Sequence, residues 1–258
     1  MGLLWERTRG GASSVKKRRM AIHEPLPAAL ACAVVPAFGA EESVGTVVDD
    51  LRGQLELPVI VVDDGSRDAT GEVARAHGAI VVRHERNRGK GAAIVTGLGE
   101  AGRRGMTMAV TVDADGQHPA ASAREVLEAS RDPRALVLGV RDLERAGAPR
   151  SNQFGNAVSN LFLSAFTGRR LADTQCGLRR YPVREALELG ARATGYAFEA
   201  EIVLRAVAVG LPIVEVPVDV LYPPDHKRRT HFRNVRDPAR IVGTVVRTVV
   251  ELRLRRRA

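Results

Sequence analysis

Residues 108–118 read MAVTVDADGQH: an apolar run, Met108–Val112, that stops at Asp113, Ala114, Asp115 and Gly116. A short, continuous apolar run ended by turn residues suits a strand buried on both faces. Two carboxylates two positions apart on extended backbone can point the same way, and the glycine opens the turn behind them. Paired hard oxygens at a strand end suit a divalent cation or the diphosphate it carries. An isolated Asp-x-Asp is as often a solvated turn, so its meaning depends on where the strand sits.

Outward from this stretch, similar runs occur at Leu30–Val35, Val59–Val62, Ala79–Val82 and Leu136–Gly139. Helical patterns fill the gaps at Glu41–Leu55, Ala69–His77, Lys90–Arg103 and Ala121–Ser130. Alternation of this kind predicts an α/β fold, a Rossmann-like and mostly parallel sheet with helices on both faces. Residues 150–210 read mainly as helix, followed by a strand at Ile213–Val218. From Asp237 the pairs Ile241/Val242, Val245/Val246 and Val249/Val250 repeat at helical period, which predicts a C-terminal amphipathic helix. Ligands of such sheets lie beyond the carboxyl ends of the strands. That directs attention to Pro36–Ala40, Asp63–Asp68, Asp113–His118 and Val140–Asp142.

Two more of these segments carry chemistry. In Val62-Asp63-Asp64-Gly65-Ser66, either Ser66 or Asp68 can cap the following helix. Capping does not need Asp63 beside Asp64, and adjacent carboxylates at a strand end suit acceptors for a base or ribose. In Asn87-Arg88-Gly89-Lys90-Gly91, glycines before a helix leave room for an anion, although a plain turn reads the same way.

The chain has 258 residues, 45% of them hydrophobic, enough for one good-sized core. Two cysteines exclude a disulfide scaffold and suit a reducing compartment. Its formal charge of +9 is uneven: residues 1–22 carry +5, residues 226–258 carry +9, and residues 23–225 carry −5. Basic ends on an acidic body point to an anionic surface. Aromatics at 4% and the lack of a nucleic-acid-binding motif argue against DNA or RNA as partner. The expected division is a basic, flexible tail at 1–28, a catalytic domain at 29–240 and a basic helix at 241–258, with Met20 an alternative start.

Pro36-Ala37-Phe38, Val62–Ser66, Asn87–Gly91 and Asp113–Pro119 fall in the order seen in glycosyltransferase family 2, which has the GT-A fold. Asp173-Thr174-Gln175-Cys176-Gly177-Leu178-Arg179 and Phe198-Glu199-Ala200-Glu201 resemble its dolichyl-phosphate and polyprenyl-phosphate hexosyltransferases. Thr230-His231-Phe232-Arg233 resembles a Ser-His-Phe-Arg segment of bacterial members. One departure is Phe38-Gly39-Ala40, where the family often has Tyr-Asn-Glu; Glu41 or Glu42 is the available substitute acid.

The resemblance implies a UDP- or GDP-hexose donor and a polyprenyl phosphate acceptor, with the same fold acting on a glycan or lipid hydroxyl as the alternative. Pro36, Ala37, Phe38, Asp63, Asp64, Lys90, Asp113, Ala114 and Asp115 would bind the donor. Asp113, Asp115 and Gln117 would hold Mg²⁺ or Mn²⁺. Arg141 and Arg150 would grip the acceptor phosphate, with Gln175 beside them. Asp115, Arg141, Arg150 and Asp173 would be catalytic, Asp173 orienting the acceptor or serving as base for a hydroxyl. Glu201 pairs simply with Arg205 one helical turn on. A chain without a membrane-spanning run would sit peripherally on the inner, cytoplasmic face of a membrane.

Overall fold

A computed structural model describes residues 30–195, 197–221 and 236–255. The 1–28 tail and the Thr230–Arg233 segment lie outside the described residues. In chain order the elements are β1 (Ala31–Ala37), α1 (Val44–Leu55), β2 (Val59–Asp63), α2 (Thr70–Ala76), β3 (Ile80–Arg83), α3 (Lys90–Arg103), β4 (Met108–Thr111) and α4 (Ala120–Glu128). They continue with β5 (Leu136–Arg141), α5 (Arg150–Thr167), β6 (Arg179–Pro182), α6 (Val183–Glu188), α7 (Ala197–Ala208), β7 (Ile213–Val218) and α8 (Arg236–Arg255).

The seven strands form one sheet in the order β3-β2-β1-β4-β6-β5-β7, parallel throughout except for β6, which runs against both β4 and β5. Side chains alternate across the sheet, and both faces are covered. Cys32, Val34, Ile60 and Val62 pack under α3, α5, α6, α7 and α8, whereas Ala33, Val35, Val59 and Val61 pack under α1, α2 and α4. Runs without polar interruption are what such a double-sided core requires, and this is why β1, β2 and β4 were readable.

The region expected to be mainly helix contains β6, and the reason it escaped notice is its sequence, Arg-Arg-Tyr-Pro. Arg179 and Arg180 are both fully buried, one toward each face. Arg179 donates to the carbonyls of Cys176, Glu199 and Thr174, each at 2.8 Å. Arg180 donates to Leu127, Ser130 and Asp132 carbonyls at 2.7 Å, so a guanidinium terminates α4 where its carbonyls lack partners. Burial lowers the Arg180 pKa. Two cations become core residues here because carbonyls accept from most of their N–H groups, Arg180 Nε having no partner among the described residues.

The last helix starts at Arg236, earlier than expected, and is not detached from the body. Val245 and Thr248 are buried, Val249 and Leu252 pack on the core, and Arg205 reaches Glu251 at 2.9 Å. The pairs Val245/Val246 and Val249/Val250 are thereby divided, Val245 and Val249 packing inward while Val246 and Val250 stay exposed. No helix among the described residues is long and apolar enough to cross a membrane.

Candidate active site

The expected segments converge at the carboxyl edge of the parallel strands. Past β4 the chain is pinned on two sides: Thr111 Oγ1 donates to the Gly177 carbonyl at 2.7 Å, and Ser43 Oγ donates to the Ala114 carbonyl at 2.7 Å. Asp115 then accepts the Gln117 amide at 3.0 Å, which turns the loop back over the strand end. Asp113, Asp115 and Gln117 thus share one short turn.

Charge around the two aspartates is uneven. Burial opposes ionisation of Asp113, yet the Lys90 ammonium at 2.7 Å, with His118 and Arg141 behind it, keeps its pKa below the usual range. Asp115 is an exposed residue, but protein crowded around its carboxylate, and the Asp113 charge beside it, raise its pKa to about 6. His118 is buried and its pKa is lowered to about 4 chiefly by desolvation, so the ring is neutral. Hard oxygens that repel one another fit a divalent cation, which would relieve the repulsion. Only Asp113 and Asp115 supply acidic oxygens, and no group of three or more His, Cys, Asp or Glu side chains suited to a metal occurs among the described residues. The cation's remaining ligands would have to come from Gln117, water and a bound diphosphate.

Asp63 and Asp64, expected near a base or ribose, lie inside the strand ends. Asp64 accepts His84 Nδ1 at 2.6 Å and the amides of Arg88 and Gly89 at 2.9 and 2.7 Å. It therefore fixes the glycine loop that starts α3 and presents Lys90. Asp63 accepts the Ser66 amide at 2.9 Å and ion-pairs with Arg83 at 3.4 Å, its Oδ2 having no hydrogen bond among the described residues. Directly after them, Gly65 has φ +76°, and a Cβ there would strike Arg86 backbone at 2.5 Å. Pro36 and Ala37 pair in register with Val62 and Asp63, and Phe38 projects exposed from the end of β1. Glu41, a candidate replacement acid, instead accepts the Ala69 amide at 2.9 Å at the head of α2. Ser66 serves the Gly39 amide rather than capping that helix.

Arg141 is the last residue of β5. Its Nε and Nη2 meet Asp173 Oδ2 and Oδ1 at 2.7 and 3.1 Å, and its amide adds a third bond at 3.2 Å. Amides of Gln175 and Cys176 donate to Asp173 Oδ1, both at 3.1 Å. The carboxylate is fully buried, with five N–H groups filling its two oxygens. Asp173 is arranged to hold Arg141, and this geometry does not present it as a base. Arg150 begins α5 and is exposed; Gln175 is half-buried. Cys176 is packed, with burial pushing its thiol up to about 11. Glu201 does pair with Arg205, at 2.8 Å, and also accepts the Arg192 and Ala193 amides.

Two residues were overlooked as site components. Glu199 is buried and contacts Lys90 Nζ at 3.1 Å. Gly177 lies so close under the site that a Cβ would fall 2.5 Å from Asp113 Oδ2 and 2.6 Å from Lys90 Nζ. An acid beside Phe198 and Ala200 at the start of α7 was the available signal for Glu199; Gly177 gave none beyond its motif. Gly177→Ala is expected to displace the Asp113–Lys90 pair and lower turnover about 100-fold, with near-normal thermal stability. Parallel kcat and melting measurements check this.

Comparison with known proteins agrees with this arrangement. Residues 32–182 match the family described as glycosyl transferase family 2. Undecaprenyl-phosphate mannosyltransferase of Micrococcus luteus is 31% identical, across 72% of this chain and 81% of that protein. Dolichyl-phosphate hexose transferase of Haloferax volcanii is 30% identical, across 86% of this chain and 95% of that one. Among solved structures, mannosyl-3-phosphoglycerate synthase from Rubrobacter xylanophilus matches with a TM-score of 0.65 at 25% identity, covering 88% of this chain and 75% of that one. Glucosyl-3-phosphoglycerate synthase from Mycobacterium tuberculosis, in complex with Mn²⁺, UDP and phosphoglyceric acid, has a TM-score of 0.65 at 19% identity, covering 85% and 78%, a likeness of fold. A family match over more than half the chain, on a sheet of this order, decides membership: this is a glycosyltransferase of family 2, built on the GT-A fold.

Proposed function

We propose that the enzyme is an inverting hexosyltransferase that moves glucose or mannose from a UDP- or GDP-sugar to a polyprenyl phosphate, with Mg²⁺ or Mn²⁺ as cofactor. The observation that carries this reading is the state of Asp173. A hydroxyl acceptor needs a base to take its proton. The acid nearest Arg141 has both oxygens occupied by five N–H donors. A phosphate monoester is already anionic and needs cations to hold it. The M. luteus and H. volcanii relatives are named for transfer to lipid phosphates, which supports the same assignment.

Each residue then has a task. Pro36, Ala37 and Phe38 with Asp63 shape the nucleotide end, Asp64 fixing the loop that carries Lys90. Asp113, Asp115 and Gln117 would hold the cation. When bound, it neutralises charge on the departing diphosphate. Arg141, braced by Asp173, and Arg150 align the acceptor phosphate. One phosphate oxygen forms the new bond to the anomeric carbon as the bond to the diphosphate breaks, and the electron pair leaves with the nucleotide. No proton is transferred. Nucleotide release from a panel of UDP- and GDP-sugars, with either metal and with polyprenyl phosphate present, names the donor; no release from any of them would sink the reading.

Peripheral attachment at the cytoplasmic side of a membrane is part of the proposal. Three of the chain's six phenylalanines, Phe154, Phe162 and Phe166, are exposed on α5 along with Leu161. Residues 145–172 contain Arg145, Arg150, Arg169 and Arg170 and no acid. An exposed apolar helix face flanked by arginines suits an anionic headgroup layer. Flotation with phosphatidylglycerol-containing vesicles is expected for the native chain and lost on joint Phe154→Ser, Phe162→Ser and Phe166→Ser substitution. Equal flotation of both would contradict membrane contact through α5.

A further inference from the structure

The two acids of α7's first turns are treated very differently by their surroundings. Glu201 has both oxygens dressed, by Arg205 on one and by the Arg192 and Ala193 amides on the other. Glu199 is 1% exposed, and neither of its oxygens has a hydrogen bond among the described residues. It forms an ion pair with Lys90, Nζ to Oε1 at 3.1 Å. A carboxylate buried with so little support is costly, which makes a purely structural role for Glu199 a poor account of it.

Lys90 places this acid in the active site. Its ammonium lies 2.7 Å from Asp113 Oδ1 and 3.1 Å from Glu199 Oε1, so it stands between a candidate metal ligand and a buried carboxylate. Gly177 closes another side, where a Cβ would sit 2.6 Å from Nζ. A divalent cation arriving at Asp113 carries charge of the same sign as the ammonium. The two compete for Asp113, and the displaced ammonium needs a partner because its side chain is only 18% exposed.

We infer that Glu199 is a positioning residue for the metal site: it takes over the Lys90 ammonium when a divalent cation occupies Asp113. The inference rests on the proposed cation at Asp113 and Asp115. In the absence of the cation Lys90 bridges both acids and offsets their charge. With the cation in place, the Lys90–Glu199 pair keeps the ammonium inside the site and leaves Asp113 free to ligate. The Asp64-held glycine loop fixes where the lysine starts, and α7 fixes where it ends.

The test is Mn²⁺ binding to the unliganded full chain, read by the electron paramagnetic resonance signal of free Mn²⁺, without turnover. Glu199→Gln keeps the shape and removes the charge, so Lys90 stays on Asp113 and Mn²⁺ binds about tenfold more weakly. Lys90→Met binds Mn²⁺ more tightly than the native chain, because no ammonium has to be displaced. Lys90→Met with Glu199→Gln together restores affinity to the native level or above. A structural Glu199 would give lower melting temperature, unchanged Mn²⁺ affinity and no recovery in the double variant, and that result overturns the inference. If Glu199→Gln fails to fold, Lys90→Met decides alone: Mn²⁺ binding no tighter than native overturns it. A native chain that binds no Mn²⁺, whether alone or with UDP or GDP added, removes the metal reading itself, and this inference with it.

Discussion

Asp115→Ala is expected to lower kcat by about 1,000-fold or more while leaving the metal-free protein as stable as before. The two halves of that expectation have different causes. The catalytic loss follows because Asp115 is one of only two acidic ligands the turn after β4 offers, and charge on the leaving diphosphate would go uncompensated. Stability holds because Asp115 is an exposed residue whose pKa is raised to about 6 by crowding of its carboxylate and by Asp113 beside it. Removing a carboxylate held near a like charge relieves Asp113, which offsets the lost hydrogen bond from the Gln117 amide. Chelation of the native enzyme should reproduce the loss, and Mn²⁺ or Mg²⁺ should restore the native chain but not the variant. A solvated turn without function would give kcat within a few-fold of native, as measured by steady-state kinetics at saturating donor.

The second large effect is expected at the Arg141–Asp173 clasp. Asp173→Asn puts an NH₂ group among five N–H donors and strips the counter-charge from a guanidinium whose side chain is 15% exposed. Loss of one partner of such a buried pair costs about 3 kcal/mol or more of stability, and Arg141 loses its orientation. Arg141→Lys separates the two consequences. It keeps a positive charge but cannot span both oxygens of Asp173, so stability falls less while acceptor recognition fails. Steady-state kinetics should show the Arg141→Lys loss, about 100-fold in kcat/KM, for the lipid phosphate, with KM for the nucleotide sugar nearly unchanged. A matching rise in donor KM would place Arg141 on the donor side instead.

The parts legible in the sequence were those fixed by local pattern. Lys90–Arg103 is a helix with the expected ends, because a glycine precedes it and its apolar spacing is regular. The strands before the four strand-end turns were visible as apolar runs, although β1 and β5 run on two residues further than those runs. That extension makes Arg141 a strand residue and brings it over Asp173. What stayed hidden depends on distant partners. β6 carries two buried arginines whose charges are met by carbonyls from α4, α7 and the 174–176 turn, and no local pattern announces such a strand. Asp64, expected to contact the ligand, also clamps the Arg88–Gly89 amides, a role visible only once β2 and the loop are side by side. Glu199 and Lys90 meet across the sheet edge from opposite halves of the chain.

Polyprenyl phosphate and the matching polyprenol, offered to the same enzyme with the same donor and metal, test the central claim most directly. With transfer to the phosphate and none to the alcohol, the site has no need of a base and Asp173 keeps its place under Arg141. Sugar transfer to the alcohol at comparable rate would contradict the account, since it would require a proton acceptor that the five-fold hydrogen-bonded Asp173 is not built to be.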